Sequence, residues 1–290
     1  MSKVSAGRIK NPIQRFNPPT LRQEIQQKQQ KLFKHFKICL FLRTFKPEIV
    51  KALLFAAGLG TRLKEQTLTK PKALVDLAGK TLLQRAIEHL KDFGISDITI
   101  NVFHFAGQVV SFLEENNSFG VTIHISDERD QLLDTGGGLK KAAVFLKGTE
   151  PILIYNVDVI SNLDLNLLYK YHLEQKALAT LVVRSRETSR YLMFDPNRQL
   201  TGWKNFSNGE SRISREESFA KSQPFAFSGI HIIHSELLDL ITETGKFPIM
   251  DLYLRLAKTQ SIKAFIDQSD LWMDLGKPEQ LQTAEEIFRK

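Results

Sequence analysis

Apolar residues are spaced in two alternating ways along residues 50–176. The segment KALLFAAG at 51–58 is almost continuously apolar, which is typical of a strand buried on both faces of a parallel sheet. The segment at 81–94 instead places its apolar residues on one broad face of a helix, and Thr81 and Gln84 have the spacing of a capping box. Because strand and helix patterns alternate, the sequence predicts a doubly wound α/β sheet with right-handed crossovers.

The same reasoning assigns elements to most of the chain. The first half is expected to contain strands at 51–58, 97–103, 120–126 and 151–157 and helices at 81–94, 106–116, 135–146 and 165–174. After about residue 176 the pattern loosens, and the expected elements are strands at 178–184, 190–194, 199–204, 224–233 and 261–267 and helices at 235–243, 248–258 and 278–288. We therefore expect the second half to be a smaller part, built onto the same sheet, that forms the other wall of a cleft.

Composition limits the kind of protein this can be. The 290 residues are 42% apolar and 25% charged, which is ordinary for a globular protein. The longest apolar runs, such as ICLFL at 38–42, are too short to span a bilayer, and no secretory signal is visible. Cys39 is the single cysteine, which excludes a disulfide framework and a thiolate zinc site. We expect a cytoplasmic protein with no membrane partner.

The net charge of +8 is concentrated near the N-terminus. Residues 1–49 contain eleven Lys/Arg and two Glu, a net charge of +9, which leaves −1 for residues 50–290. A basic amphipathic helix at 21–42 that binds a membrane surface or a partner is one interpretation, and a disordered extension is another. We favour a third, in which 1–49 is upstream sequence joined by a misassigned start and Val50 is the initiator. The near-neutral body, expected to form one domain, does not indicate a nucleic-acid partner.

A glycine-rich loop follows the first predicted strand and precedes two cations. In AAGLGTRL, Gly58 and Gly60 stand where the backbone must turn and approach a ligand closely, and successive exposed amides in such a turn bind anions. Arg62 adds a fork of donors suited to phosphate oxygens, and Lys72, after Pro71, adds a point charge. The loop lacks the spacing of a P-loop and of the dinucleotide-binding fingerprint. The pattern therefore predicts a phosphate-binding site of another type.

The segments LLFAAGLGTRL and KPKAL resemble those of the sugar-1-phosphate nucleotidyltransferases, also called nucleotide-sugar pyrophosphorylases. The resemblance extends from Val50 to about Phe288. It implies an α/β fold with a Rossmann-like, mixed and mostly parallel sheet flanked by helices, and a smaller sugar-binding part in the second half. It also implies that Arg62 and Lys72 are catalytic and that the glycine-rich loop holds the triphosphate of a nucleotide. The residues implied in nucleotide binding are Ala57, Gly58, Gly60, Thr61, Arg62, Thr135, Gly136 and Gly137.

Two aspartates match the Mg²⁺ ligands of this family. Asp158 follows the buried strand PILIYNV, at the carboxyl edge where open α/β sheets bind ligands. Asp274 lies in LWMDLGKPEQL, just before a predicted helix that starts at Pro278. Either residue alone would be interpreted as a turn or capping residue, whereas the two carboxylates together suffice for Mg²⁺, which completes its shell with water and phosphate oxygens. Asp164 is a weaker candidate and is expected to cap the helix at 165–174.

The resemblance also places the base and the sugar. The base is expected at LLDTGGGL, where Thr135 and the backbone of Gly136–Gly138 open a helix without adding bulk. The sugar is expected near Gly229 of FSGIHII, Lys204 of GWKN, and Asn156. No general base is required, because a phosphomonoester with a second pKa of about 6 is already largely dianionic at neutral pH. The seven histidines are accordingly expected to be structural or exposed.

The implied reaction joins an NTP and a sugar-1-phosphate into an NDP-sugar and pyrophosphate. The compact body and the segments DTGGGL and SDLWMDLGKPEQL look most like the N-acetylmuramate-1-phosphate uridylyltransferases of cell-wall recycling, which use UTP. Mannose-1-phosphate guanylyltransferases and glucose-1-phosphate thymidylyltransferases are the alternatives, and a non-catalytic subunit that senses nucleotide sugars is an alternative of a different class. A muramate carboxylate would require a cation, for which Arg190 and Lys204 are candidates on charge alone. Asp134 and Val157 replace residues usual in the family, so the fine specificity stays open.

Overall fold

A ten-stranded mixed sheet forms the centre of the described part of the chain. The structure is a computed structural model and describes residues 51–148 and 150–289. The expectations for residues 1–49, including the misassigned start, lie outside the described residues.

The strands and helices alternate in the first half as predicted. The strands are β1 Lys51–Phe55, β2 Asp76–Leu77, β3 Lys80–Thr81, β4 Asp97–Val102, β5 Thr122–Asp127, β6 Ile152–Asn156, β7 Val159–Ser161, β8 Ala179–Arg184, β9 Arg190–Phe194, β10 Leu200–Asn205, β11 Ser211–Ile213, β12 Gln223–Ile233, β13 Ile262–Ile266 and β14 Trp272–Asp274. The helices are α1 Leu82–Asp92, α2 Ala106–Glu115, α3 Asp134–Leu146, α4 Leu165–Gln175, α5 Glu216–Phe219, α6 Ile249–Leu256 and α7 Pro278–Phe288, with 3₁₀ helices at Thr61–Thr67, Lys72–Leu74, Asn117–Gly120 and Ser235–Leu240.

The order of the strands confirms the predicted α/β fold. The sheet runs β5-β4-β1-β6-β12-β9-β10-β11, with β8 beside β12 and β13 beside β8. β5, β4, β1 and β6 are parallel, whereas β12 runs antiparallel to β6, β8 and β9. The parallel half carries the glycine-rich loop, and the antiparallel half is the smaller part that the looser pattern in the second half predicts.

The core lies on both faces of this sheet. Along β1, Leu53 and Leu54 are fully buried but belong to two different hydrophobic clusters, because successive side chains of a strand point to opposite faces. α1 packs on one face through residues such as Leu83 and Ile87. α3 and α6 pack on the other through residues such as Leu139 and Leu252. Burial of β1 on both faces explains its continuously apolar sequence.

The structure confirms the predicted helix cap of α1 but shortens some predicted elements. Thr81 caps α1 by accepting a hydrogen bond from the amide of Gln84 at 3.0 Å, as its spacing predicts. The Gln84 side chain instead donates to Glu88 at 2.9 Å, so the reciprocal half of the capping box does not form. The helix predicted at 235–243 is a shorter 3₁₀ helix, because the chain becomes extended at Ile241. Strands as short as β7 and β14 carry no periodicity and were not predicted.

Candidate active site

The carboxyl ends of β4, β1 and β6 meet at one edge of the sheet. β1 pairs in parallel with β6 on one side and with β4 on the other, so the segments that follow these strands lie side by side. A cleft of about 400 Å³ opens there. Of the residues implied by the sequence, those that line this cleft are Ala57, Gly58, Gly60, Thr61, Arg62, Lys72, Thr135, Asn156 and Asp158.

The glycine loop, residues 56–60, presents backbone donors to the cleft. Gly60 has a φ of +65°, and a β-carbon there would lie 2.8 Å from Thr67 Cγ2 and 3.1 Å from Lys72 Cβ, so the turn requires glycine. The amides of residues 58–60 donate no hydrogen bond to any residue that the structure describes. Successive unpaired amides form a concavity that binds anions, which is the arrangement that the sequence predicts.

Lys72 and Asp158 form an ion pair next to this loop. Lys72 opens a 3₁₀ helix after Pro71, and its side chain is only 9% exposed. Asp158 is the second residue of the two-residue turn between β6 and β7, and its side chain is 18% exposed. A buried ammonium group needs a compensating partner, which Asp158 supplies and which a phosphate oxygen could equally supply. The pair thus places a cation where the loop presents its amides.

A two-stranded ribbon brings the two predicted metal ligands together. β7 and β14 pair antiparallel with Asp274 opposite Val159. The amide of Leu275 donates to the carbonyl of Asp158 at 2.9 Å, which fixes the two segments side by side. Asp158, in the turn just before β7, therefore lies beside the end of β14 that carries Asp274. From the sequence, only the family resemblance indicates that the segments of Asp158 and Asp274 meet, because neither short strand is recognisable from its pattern of apolar residues.

Arg62 reaches the same ribbon from the 3₁₀ helix that follows the glycine loop. A β-carbon at Gly276 would lie 2.5 Å from Arg62 Nη2 and 2.9 Å from Asp274 Oδ1, so the two side chains converge on the backbone of Gly276. The amide of Gly276 also donates to Asp274 Oδ1 at 2.9 Å. Sequence reasoning missed Gly276, although a glycine two residues after a candidate metal ligand is a signal for close approach. Arg62 and Asp274 therefore both approach Gly276, whereas Lys72 and Asp158 are in direct ion-pair contact.

The residues present fit a divalent cation held by oxygen. Asp158, which lines the cleft, and Asp274, on β14 beside it, offer carboxylate oxygens from neighbouring segments, and both residues are partly exposed. Within the described ranges there is no group of three or more His, Cys, Asp or Glu that could hold a metal by itself. Mg²⁺ commonly uses one or two carboxylates together with water and substrate phosphates, so this donor set fits Mg²⁺.

The glycines at the start of α3 are packing positions. The amides of Gly136 and Gly137 both donate to the carbonyl of Phe247, at 2.9 and 3.2 Å. A β-carbon at Gly136 would overlap the ring of Phe247, and one at Gly137 would overlap the carbonyl of Gly245. Contact of these two glycines with the base stays a prediction, but in this structure protein acceptors occupy their amides. The run of glycines lets α3 approach residues 245–247 closely.

Leu132, Asp134 and Thr135 are the residues of the segment LLDTGGGL that line the cleft. Asp134 has a φ of +60°, a left-handed conformation that aspartate tolerates better than most residues. Thr135 Oγ1 accepts from the amide of Ile249 at 2.9 Å. The Thr135 hydroxyl is thus fixed in place at the edge of the cleft.

Replacing Gly137 with alanine is expected to destabilise the fold by about 1–3 kcal/mol, because the carbonyl of Gly245 cannot move aside without shifting backbone. Gly107 lies in the first turn of α2 with nothing within 4 Å of a β-carbon. Gly107→Ala should therefore stabilise by about 0.5–1 kcal/mol. Urea unfolding of both variants measures the difference. A Gly137→Ala protein with unchanged stability but lost nucleotide binding would contradict the packing role.

The structure brings together two of the three predicted sugar-binding residues. Gly229 has a φ of +77°, and a β-carbon there would lie 2.9 Å from Asn156 Nδ2. β12 therefore passes close to the end of β6 at a register shift between Phe227 and His231. Lys204, on β10, instead lies over the ring of Phe206 at 5.0 Å and does not line the cleft.

Arg186 is a cation on this side that sequence reasoning missed. It follows β8, which runs parallel to β6, so it emerges at the same carboxyl edge of the sheet. Its guanidinium stacks on Trp272 at 4.6 Å and donates to the carbonyl of Phe227 at 3.1 Å. Burial lowers the pKa of Arg186, and the charge of Asp274 opposes that shift. The signal in the sequence that could have identified Arg186 is a cation directly after a buried strand, at the edge of the sheet that carries the site.

The buried histidines have no role in the cleft. Burial lowers the pKa of His172 to about 4 and that of His231 to about 3, so both are neutral at physiological pH. His172 Nδ1 is bonded to Thr180 Oγ1 at 2.9 Å. No histidine is among the described residues that line the cleft. The site thus contains cations and carboxylates but no imidazole base.

The nucleotidyl transferase family model matches residues 51–290. N-acetylmuramate α-1-phosphate uridylyltransferase of Caulobacter vibrioides is 29% identical over 242 residues, which cover 81% of this chain and 95% of that protein. The protein of that name from Neisseria meningitidis is 29% identical, with 82% and 98% covered. The catalytic subunit β of mannose-1-phosphate guanylyltransferase from Drosophila melanogaster is 30% identical over 80% of this chain, which spans only 61% of that relative.

Solved structures share the fold. HddC from Yersinia pseudotuberculosis, complexed with GMP-PN, superposes with a TM-score of 0.66 at 23% identity and covers 83% of this chain and 100% of that chain. A putative glucose-1-phosphate thymidylyltransferase from Bacillus anthracis gives a TM-score of 0.68 at 22% identity, covering 83% and 96%. None of the helices among the described residues is long and apolar enough to cross a membrane. The chain belongs to the nucleotidyl transferase family, the family of the sugar-1-phosphate nucleotidyltransferases.

Proposed function

We propose that this enzyme transfers the uridylyl group of UTP to N-acetylmuramate-1-phosphate, forming the UDP-sugar and pyrophosphate. The observation that carries the chemistry is the Lys72–Asp158 ion pair, with Arg62 and Asp274 both approaching Gly276, beside a glycine loop whose amides at 58–60 donate to none of the described residues. The choice of UTP and muramate is supported by similarity along nearly the whole length of two N-acetylmuramate α-1-phosphate uridylyltransferases. A role in cell-wall recycling in the cytoplasm is part of this proposal.

The glycine loop and Lys72 would hold the triphosphate. A dianionic phosphate oxygen of the sugar attacks the α-phosphorus in line, the bond from that phosphorus to the bridging oxygen breaks, and pyrophosphate leaves with the electron pair. Lys72 exchanges the Asp158 carboxylate for a phosphate oxygen, and Arg62 reaches the phosphates from the exposed side of the cleft. These cations bring two polyanions together and stabilise the charge of the transition state.

Asp158 and Asp274 would hold a Mg²⁺ ion. When bound, the ion neutralises phosphate charge and helps to orient the reacting groups. With Lys72 drawn to the triphosphate, the Asp158 carboxylate becomes available as a ligand. No proton needs to be removed from the attacking phosphate, which agrees with a cleft whose described lining residues include no histidine.

Arg186 would face the carboxylate of the sugar. Arg190, which was suggested by its charge, is exposed at the start of β9, and Lys204 lies over Phe206. Arg186 instead stacks on the ring of Trp272, and the negative charge of Asp274 favours its protonated form. A guanidinium stacked on an aromatic ring keeps its edge for bidentate contact with a carboxylate.

GTP with mannose-1-phosphate is the second candidate, because mannose-1-phosphate guanylyltransferases reach 31% identity to this chain. dTTP with glucose-1-phosphate is a third. A sensing subunit that binds nucleotide sugars without turnover is disfavoured, since Arg62, Lys72, Asp158 and Asp274 are all present and assembled.

Pyrophosphate release across a matrix of nucleotides and sugar-1-phosphates tests the proposal. Purified protein with Mg²⁺ is assayed with UTP, GTP, dTTP, ATP and CTP against the 1-phosphates of N-acetylmuramate, mannose, glucose and N-acetylglucosamine. We expect release with UTP and N-acetylmuramate-1-phosphate alone. Release confined to GTP and mannose-1-phosphate would support the mechanism but contradict the proposed substrates. A folded protein that releases no pyrophosphate with any combination would favour the sensing subunit.

A further inference from the structure

A buried amide and a buried carboxylate connect the glycine loop to α3. Asn101, at the end of β4, is 2% exposed, and its Oδ1 accepts from the amides of Ala56 at 2.7 Å and Ala57 at 3.3 Å. Asn101 Nδ2 donates to Glu128 Oε1 at 2.7 Å. Asn101 thus holds the first two residues of the loop whose next amides face the cleft.

Glu128 continues this connection to the other side of the cleft. It is 0% exposed, and its Oε2 accepts from the amide of Leu133 at 3.0 Å. Leu133 immediately precedes α3, and its carbonyl accepts from the amide of Phe247 at 3.1 Å. Glu128 therefore ties the start of α3, with Asp134 and Thr135 at the edge of the cleft, to the strand that anchors the glycine loop.

The polarity of this chain of hydrogen bonds is fully specified. Asn101 must present oxygen to the loop and NH₂ to Glu128, and Glu128 must accept at both oxygens. Burial raises the pKa of Glu128, and the hydrogen bonds from Leu133 and Asn101 oppose that shift. Burying a carboxylate without a cation in contact is costly, so apolar packing would serve stability better. This free-energy cost indicates that the Asn101–Glu128 pair serves to position the two segments it connects more than to stabilise the fold.

The third glycine of α3 makes room for the pair. A β-carbon at Gly138 would lie 2.7 Å from Glu128 Oε1 and 3.0 Å from Asn101 Nδ2. The helix backbone can therefore rest directly on the Asn101–Glu128 hydrogen bond. This gives the segment GGG a second packing partner besides residues 245–247.

We propose that Asn101 and Glu128 are positioning residues. They fix the position of the glycine loop relative to the start of α3, so that both segments can bind one nucleoside triphosphate. The inference rests on the proposed function in taking this cleft as the nucleotide site. The loop would hold the phosphates and the start of α3 would lie toward the base, so the pair aligns the two ends of one ligand.

Reversing the polarity of the pair tests this. Asn101→Asp sets a carboxylate against Glu128, and Glu128→Gln sets an amide donor against either Asn101 or the amide of Leu133. In the double variant the carboxylate at 101 accepts from Ala56 and from the glutamine amide, whose oxygen accepts from Leu133. The hydrogen bond between positions 101 and 128 is then restored with donor and acceptor exchanged, while the backbone amides of Ala56, Ala57 and Leu133 donate as before.

Each single variant is expected to raise the KM for UTP by about 10- to 100-fold, with little change in the KM for the sugar-1-phosphate. The double variant should return to within about threefold of wild type. Ser126→Ala is the matched control, because Ser126 is 2% exposed, lies opposite Asn101 on β5 and has a hydroxyl with no hydrogen-bond partner among the described residues. It should leave both KM values unchanged.

Amide hydrogen exchange of the proteins without nucleotide supplies a second readout that needs no activity. Glu128→Gln should speed exchange at Ala56 and Ala57, and the double variant should slow it again. Single variants with wild-type KM for UTP and wild-type exchange, or a double variant as impaired as the singles, would overturn the inference. Wild-type protein that binds none of the five nucleotides would refute the proposed function, while the exchange experiment would still decide whether the pair couples the two segments.

Discussion

Lys72→Ala is expected to lower kcat for pyrophosphate release by about 10²- to 10³-fold. Lys72 is 9% exposed beside the glycine loop, so its charge acts in a poorly hydrated environment where it stabilises phosphate charge strongly. The protein should remain folded, because the Asp158 carboxylate that loses its partner is 18% exposed and can be hydrated. Steady-state kinetics and a thermal melt of the same preparation measure both expectations.

Lys80→Ala is the matched control for loss of a lysine in an ion pair. Lys80 pairs with Glu88 at 2.7 Å but is 46% exposed and does not line the cleft. An exposed pair contributes little to stability, so this variant should have wild-type kcat and nearly wild-type melting. Wild-type turnover by folded Lys72→Ala would remove Lys72 from the catalytic machinery.

Asp158→Asn is expected to lower the rate at saturating Mg²⁺ by about 10²-fold or more, and to require a higher Mg²⁺ concentration for half-maximal activity. The amide preserves the shape of the side chain and can still accept from Lys72, so the change isolates the negative charge that Asp158 would supply to the ion. A titration of pyrophosphate release against MgCl₂ measures both quantities.

Asp164→Asn separates the metal site from a nearby acidic residue. Asp164 Oδ1 accepts from the amides of Asn166 at 2.9 Å and Leu167 at 3.3 Å, which confirms its predicted role as the cap of α4. Asparagine caps helices as well as aspartate does, so this variant should show the wild-type Mg²⁺ dependence. If Asp158→Asn followed the same curve as Asp164→Asn, Asp158 would not be a metal ligand.

Much of the fold was predictable because it depends on local pattern. Buried parallel strands such as β1 are continuously apolar, and helices such as α1 show a face and a cap. The predicted bounds of these elements differ from the structure by only a few residues. Short strands were missed because two or three residues cannot show a period, although β14 carries Asp274 and β7 begins directly after Asp158.

The chemical properties of individual residues were also predictable from the sequence, whereas the groups that these residues contact were not. Gly60 carries a recognisable need for a positive φ, and Lys72 follows a proline after the loop. The roles of Gly136 and Gly137 show the limit. Their run beside Thr135 indicated a base-facing loop, but in the folded chain their amides bond to Phe247. A glycine that makes room for a ligand and one that makes room for backbone look alike in a sequence.

The sequence by itself determined the alternation of strand and helix and the glycine loop with its two cations, Arg62 and Lys72, because these follow from periodicity and residue type. The family resemblance, and not the pattern, identified Asp158 and Asp274 as candidate metal ligands. Only the tertiary structure decided which groups meet: the ion pair of Lys72 with Asp158, the approach of Arg62 and Asp274 to Gly276, the placing of Arg186 against Trp272, and the buried connection from Asn101 through Glu128 to α3. Such contacts join segments far apart in the chain. They depend on strand order, register and close approach of backbone, none of which any single segment encodes.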